Sequence, residues 1–233
     1  MLKIFSMKSL HLFLLLSTLL VIGCQTDPKP KQAEPIIFSS YYVRYMEPER
    51  ELKAEATFRQ GDSQQNAQAK QFNSVTFNNK EMVFKELSAN NKRYIFNASM
   101  DFSSDDLQFG FINDAGQKES QPFSFSPITK LSVQGTINKS KGAAISWEGG
   151  PLTAEESVVC LFDNAANKST SLIIKGPSNG SQINIPPEKM NGLTPGTAEL
   201  YLVRKKRIRK ESGKRISFAQ MEYYTKTIEV VVE

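Results

Sequence analysis

ELKAEATFR, residues 51–59, alternates apolar and polar side chains without a break. Leu52, Ala54, Ala56 and Phe58 fall on one face, and Glu51, Lys53, Glu55, Thr57 and Arg59 on the other. A period of two predicts a half-buried β-strand, since successive strand residues point to opposite sides. Upstream, IIFSSYYVRYM (residues 36–46) is rich in aromatic and β-branched residues and is cut off by Glu47-Pro48-Glu49-Arg50. Downstream, 61–71 is a polar loop. Further strands are expected at 74–77, 82–87, 94–102 and 107–112, with Asn113-Asp114-Ala115-Gly116 as a turn. Phe123-Ser124-Phe125 closes the series. Short strands separated by turn residues, with no helical stretch, predict a β-sandwich over 36–127.

Pro127–Lys130 reads as a joint, after which the pattern restarts. Strands are expected at 131–137, 143–147, 157–162, 171–175, 182–185, 199–204 and within 223–233. Ala144-Ile145-Ser146-Trp147 resembles the second strand of a fibronectin type III domain, whose Trp packs between the sheets. Leu193-Thr194-Pro195-Gly196-Thr197 resembles that family's turn before the sixth strand. The family's corner tyrosine would fall near Glu199, yet the first Tyr is Tyr201. The resemblance therefore implies an immunoglobulin-like sandwich over 128–233 with an altered corner. The expected fold is all-β, with two consecutive immunoglobulin-like sandwiches.

Ahead of them lies MLKIFSMKSLHLFLLLSTLLVIGC, residues 1–24. Lys3 and Lys8 precede an apolar run of roughly 13 residues, shorter than the about 20 needed to span a bilayer. That pattern predicts a signal peptide over 1–23. Val21-Ile22-Gly23-Cys24 resembles the lipobox of bacterial lipoproteins. The resemblance implies cleavage before Cys24, lipidation of Cys24, and a membrane partner held through that lipid. Residues 24–35 would be the lipidated Cys and a polar tether. Gln25 stands where Asp would imply inner-membrane retention, so the resemblance implies the outer membrane.

Composition narrows the chemistry. The only His is His11, inside the expected signal peptide, and the only Cys besides Cys24 is Cys160. A mature chain without His has no Ser-His-Asp or Cys-His arrangement and no imidazole zinc site. No GxGxxG or GxxxxGK[ST] motif occurs, so there is no case for nucleotide binding and no cofactor is expected. Cys160 sits in Ser157-Val-Val-Cys-Leu-Phe162, a setting for a small buried hydrophobe and not a reactive thiol. Asp101, Asp105 and Asp106 lack the alternating oxygens and central Gly of a calcium loop. Phe38, Tyr41, Tyr42 and Tyr45 could stack on sugars if exposed, but alternating strand aromatics more often fill a core.

The unusual stretch is RKKRIRKESGKR, residues 204–215, with eight basic residues and one acid. The charge is local, because the rest of the mature chain has an acidic balance. Glu211-Ser212-Gly213 supplies a turn, so the segment reads as a basic hairpin between the last two strands. Phosphate, sulfate or uronate groups are natural partners for Arg204, Lys205, Lys206, Arg207, Arg209, Lys210, Lys214 and Arg215. The bland alternative is a solvated hairpin that blocks edge-to-edge strand pairing. Export argues against nucleic acid. Three readings follow, in this order. The first is a non-catalytic structural or interaction lipoprotein that docks an envelope protein. The second is a module binding an anionic glycan or lipid headgroup through the hairpin. The third is a hydrolase with two carboxylates about 5–9 Å apart.

Overall fold

The computed structural model describes residues 35–102, 106–164 and 168–233. The signal peptide, Cys24, the tether up to residue 34, and Asp105 lie outside the described residues. Pro35–Glu233 is one compact unit. Its elements are strands throughout, apart from one 3-10 turn at Pro187–Lys189. The all-β fold expected from the sequence is the one observed.

In the first half, β1 (Ile36–Met46) pairs antiparallel with β2 (Glu51–Gly61), and β3 (Gln68–Ala69) adds a short ladder to β2. A second sheet holds β4 (Val75–Phe77), β5 (Lys80–Glu81), β8 (Asp106–Ile112) and β9 (Lys118–Ser124) in the order β5-β4-β8-β9. The strands β6 (Val83–Ser88) and β7 (Asn91–Ser99) join β2 in the first sheet. The alternation of residues 51–59 is realised as expected: Leu52, Ala54, Ala56 and Phe58 are all buried. Phe58 lies within 6.0 Å, ring centroid to ring centroid, of Tyr41, Phe72, Tyr94 and Phe111. Tyr41 stacks at 4.6 Å on Phe109 of the facing sheet. Edge-to-face and tilted rings at these distances add attraction beyond their buried area. Tyr41 and Tyr45 belong to that core, whereas Phe38, also buried, lies with the half-buried Tyr42 on the other face of β1.

In the second half, β10 (Thr129–Val133), β11 (Ala143–Glu148) and β14 (Gln182–Ile185) form a three-stranded sheet. The remaining strands are β12 (Glu156–Asn164), β13 (Ser169–Lys175), β15 (Gly196–Ser212), β16 (Arg215–Tyr224) and β17 (Ile228–Val232). The strands β13, β12, β15 and β17 lie side by side opposite the three-stranded sheet, as in an immunoglobulin-like sandwich. Trp147 is buried on β11, and its indole N–H donates to the Gly150 carbonyl at 3.0 Å. Leu193-Thr194-Pro195-Gly196 leads into β15, where the resemblance placed it. Cys160 is fully buried on β12, and burial pushes its thiol up to about 12.

The halves are joined by more than the joint. β16 pairs in parallel with β1 over ten residues, from Ile37 opposite Arg215 to Met46 opposite Tyr224. One ten-stranded sheet thus contains β13-β12-β15-β16-β1-β2-β7-β6. The 127/128 boundary falls between β9 and β10 along the chain, and this sheet crosses it in space. Ile128 at the joint is fully buried. Gly149 packs against it so closely that a Cβ would lie 1.8 Å from the Pro127 carbonyl oxygen.

Candidate functional site

The basic segment is strand and not loop. The ladder of β15 to β16 runs from Val203 opposite Tyr224 to Ser212 opposite Arg215, leaving only Gly213 and Lys214 as the turn. Gly213 has φ +56°, the left-handed region that a tight turn needs and glycine adopts freely. The sequence places the strand before the hairpin at 199–204, whereas β15 continues to Ser212. The physical reason for the difference is the length of the cationic side chains, whose methylene stems cover apolar surface while their heads reach polar groups.

Alternation then sorts the cations by face. Arg204, Lys206 and Lys210 share one face of β15, with Lys206 half-buried and Lys210 exposed. Arg204 is buried, so the expectation that it forms part of an exposed polyanion surface is corrected. Its guanidinium donates to the Gly149 and Pro151 carbonyls, each at 2.8 Å, and to Glu156 Oε2 at 2.9 Å. Burial pushes the Glu156 carboxyl up. The hydrogen bonds from Arg204 and the Thr153 N–H outweigh it, as do the charges of Arg204 and Lys206, and hold it below its usual value. Lys206 donates to the Ser124 carbonyl at 2.9 Å, and Lys210 to the Pro122 carbonyl at 3.1 Å. Both carbonyls belong to β9, the terminal strand of the four-stranded sheet. These two lysines therefore cap an open edge of the first half from the second. Lys210 also lies 5.1 Å from the Phe123 ring centroid.

Beside the turn of the hairpin, Arg215 stacks on Phe111 at 4.3 Å and pairs with Glu119 at 2.8 Å. This again links the two halves. The segment points back at the first sandwich.

The outward side chains are Lys205, Arg207 and Arg209. Lys205 pairs at 3.2 Å with Glu222, a buried carboxylate. Tyr42 and Tyr224 donate to the same carboxylate at 3.0 and 2.9 Å, and Gln220 at 2.9 Å. Burial raises the Glu222 pKa, but the hydrogen bonds from Tyr224, Lys205 and Tyr42 and the Lys205 charge bring it below normal. No local pattern shows this cluster, because its members come from β1, β15 and β16 and Tyr42 joins them only through the parallel pairing. Arg209 pairs with Glu211 and lies 5.8 Å from the Phe218 ring. Arg207 and Lys214 are exposed.

Besides a groove of about 310 Å³ at the ribbon's turn, lined by Ser212, Lys214 and Arg215, two others lie near it. One, of about 570 Å³, lies over β4, β8 and β9 and is lined by Thr76, Gln108, Gly110 and Ser120 among others. A Cβ at Gly110 would come within 2.6 Å of Thr76 Oγ1. The other, of about 400 Å³, lies over β12, β13 and β15, between Lys175, Lys205, Arg207 and Ile173. Glu155 and Glu156 border it, but the Glu156 carboxylate is turned inward to Arg204. Among the described residues no group of three or more His, Cys, Asp or Glu side chains is placed to hold a metal ion.

No protein-family model and no curated protein matches the chain. Solved structures that it resembles are strings of β domains. Against a tetra-tandem repeat from the extending region of a large adhesion protein, the identity is 11% and the TM-score 0.29. That alignment covers 84% of this chain and 50% of the other. Titin domains A168–A170 give 8% identity and a TM-score of 0.23, covering 86% of this chain and 67% of that one. A Bacteroides ovatus glucan-locus protein, SGBP-B, solved with a mixed-linkage heptasaccharide, gives 10% and 0.22, covering 78% and 43%. The chain thus spans about half the length of the adhesion repeat. Likenesses this distant carry no information about activity.

Proposed function

We propose that this protein is an outer-membrane lipoprotein, anchored through a lipid on Cys24, and a non-catalytic structural or protein-interaction module of the cell envelope. The observation that supports the structural reading is the use made of the basic ribbon. Arg204, Lys205, Arg209 and Arg215 face carboxylates, and Lys206 and Lys210 cap strand carbonyls. Of the cations that suggested a polyanion site, Lys206, Lys210 and Arg215 reach the first sandwich, and Arg204, Lys205 and Arg209 are paired within the second. The test is photo-crosslinking in the producing cells, with the reactive group placed in turn across the exposed faces of both sandwiches. Recovery of one envelope protein from a contiguous patch is the expected result. Adducts spread evenly over unrelated proteins would contradict it. Globomycin, which blocks lipoprotein signal cleavage, tests the anchor separately: the uncleaved precursor should accumulate.

A second reading, binding of an anionic glycan or lipid headgroup, keeps support from the exposed Arg207, Arg209 and Lys214. Its test compares wild type with the triple Gln variant at these positions, on anionic vesicles and an acidic polysaccharide. Binding that survives physiological salt and is lost in the variant would favour it over the first reading.

A further inference from the structure

Open sheet edges present unpaired backbone groups, and proteins guard them with charge, proline or cover. The edges here are guarded unequally. β9 carries Pro122 and has Lys206 and Lys210 on its carbonyls. β15 beyond its pairing with β12 carries Arg207, Arg209 and Lys210. β6, one end of the ten-stranded sheet, has Lys85 and Glu86 at its centre. β13, the other end, reads STSLIIK and has no charge before its last residue. Its central Ile173 is 57% exposed.

The backbone of β13 is also oriented for pairing. Gly176 N–H donates to the Glu156 carbonyl at 2.9 Å beyond one end of the β12–β13 ladder. Asn164 N–H donates to the Lys168 carbonyl at 3.3 Å beyond the other. The register between them is unbroken, so even-numbered residues of β13 bond inward to β12. The N–H and C=O groups of Ser169, Ser171, Ile173 and Lys175 consequently face the open edge.

We propose that β13 pairs antiparallel with β13 of a second copy of this chain, about a two-fold axis at Ile173. In that register Ile173 lies opposite its own counterpart, and Ser171 lies opposite Lys175 in both directions. Each of these odd-numbered pairs has its hydrogen-bonding groups aimed across the new seam. The two Ile173 side chains meet on the outer face beside Val159, which pairs with Ile173 on β12. On the inner face, the half-buried Leu172 meets the half-buried Ile174 of the other copy. No like charges stand directly opposite, a condition that favours a cross-strand pair. A two-fold contact of this kind closes on itself, so the assembly ends at a dimer. The same operation centred on β6 would set Lys85 against Lys85.

This inference goes beyond the reading above, which names a foreign envelope partner. A chain that failed to dimerise would leave that reading standing. Opposed residues in a hydrogen-bonded pair have Cα atoms about 5.5 Å apart, within disulfide reach. The test uses full-length Ile173→Cys in membranes of the producing cells, oxidised mildly and run without reductant. Wild type, which retains Cys24 and the buried Cys160, and Val83→Cys on the opposite edge run beside it. The proposal expects a dimer band specific to Ile173→Cys. It also expects a dimer of wild type in detergent by sedimentation, lost in Ile173→Lys. No Ile173→Cys dimer, an equal band from Val83→Cys, or a dimer that persists in Ile173→Lys would overturn it.

Discussion

Arg204 Nη2 and Glu156 Oε2 meet at 2.9 Å inside the second sandwich, with both side chains almost wholly shielded from water. The pair joins β15 to β12, and the other guanidinium bonds hold the loop carrying Gly149 and Pro151. Removing one partner leaves a buried charge without compensation, whereas replacing both with apolar groups removes the desolvation cost as well. Arg204→Met alone should therefore destabilise the fold by about 3–5 kcal/mol, and Glu156→Leu by a similar amount. The double variant should recover most of that loss. Urea unfolding of the four proteins checks it, and additive losses would show that the two groups do not act as a pair.

The same carboxylates set the acid limit of stability. Glu156 and Glu222 both titrate below the ordinary 4.5 when folded. A depressed folded pKa contributes stability that is present above the unfolded value and lost as pH falls through the folded one. Stability should therefore hold from neutral pH down to about 4.5 and decline below it. Glu222→Gln should lower stability at neutral pH and flatten the decline, as read by unfolding midpoints across the acid range.

Gly149 combines φ +122° with the contact at the Pro127 carbonyl. A Cβ there is disfavoured by both backbone and space. Gly149→Ala should cost roughly 2 kcal/mol or more. Gly180, with φ +80° and open space around it, is the control: Gly180→Ala feels only the backbone term. Equal losses at the two sites would remove the steric argument.

Phe58 anchors the aromatic core of the first sandwich. Phe58→Ala should destabilise by about 3–5 kcal/mol through lost burial and the cavity left behind. Chemical denaturation measures it, and a loss near zero would mean that the facing rings of Phe72 and Phe111 collapse into the space.

Much of this was legible in the sequence. The alternation of residues 51–59 gave the strand, its buried face and, by repetition, the all-β class. Trp147 and the Leu193–Thr197 turn located the second sandwich, and 36–46 and 182–185 match strand boundaries residue for residue. The ribbon was not legible. Residues 204–210 show no apolar alternation, because lysine and arginine stems do on both faces what leucine and valine do elsewhere. The parallel pairing of β1 with β16 joins residues nearly the whole described chain apart, and no local pattern encodes it. Tyr42 therefore reaches Glu222 without any local signal, and the burial of Arg204 against Glu156 does not show in its charged neighbourhood.

β15 and β16 carry the second sandwich into the sheet of the first, so the two are expected to unfold together. Scanning calorimetry of the full-length protein tests this most directly. One transition is expected, with van't Hoff and calorimetric enthalpies that agree. Two separated transitions, each with about half the enthalpy, would mean that the shared sheet does not couple the halves, and would contradict it.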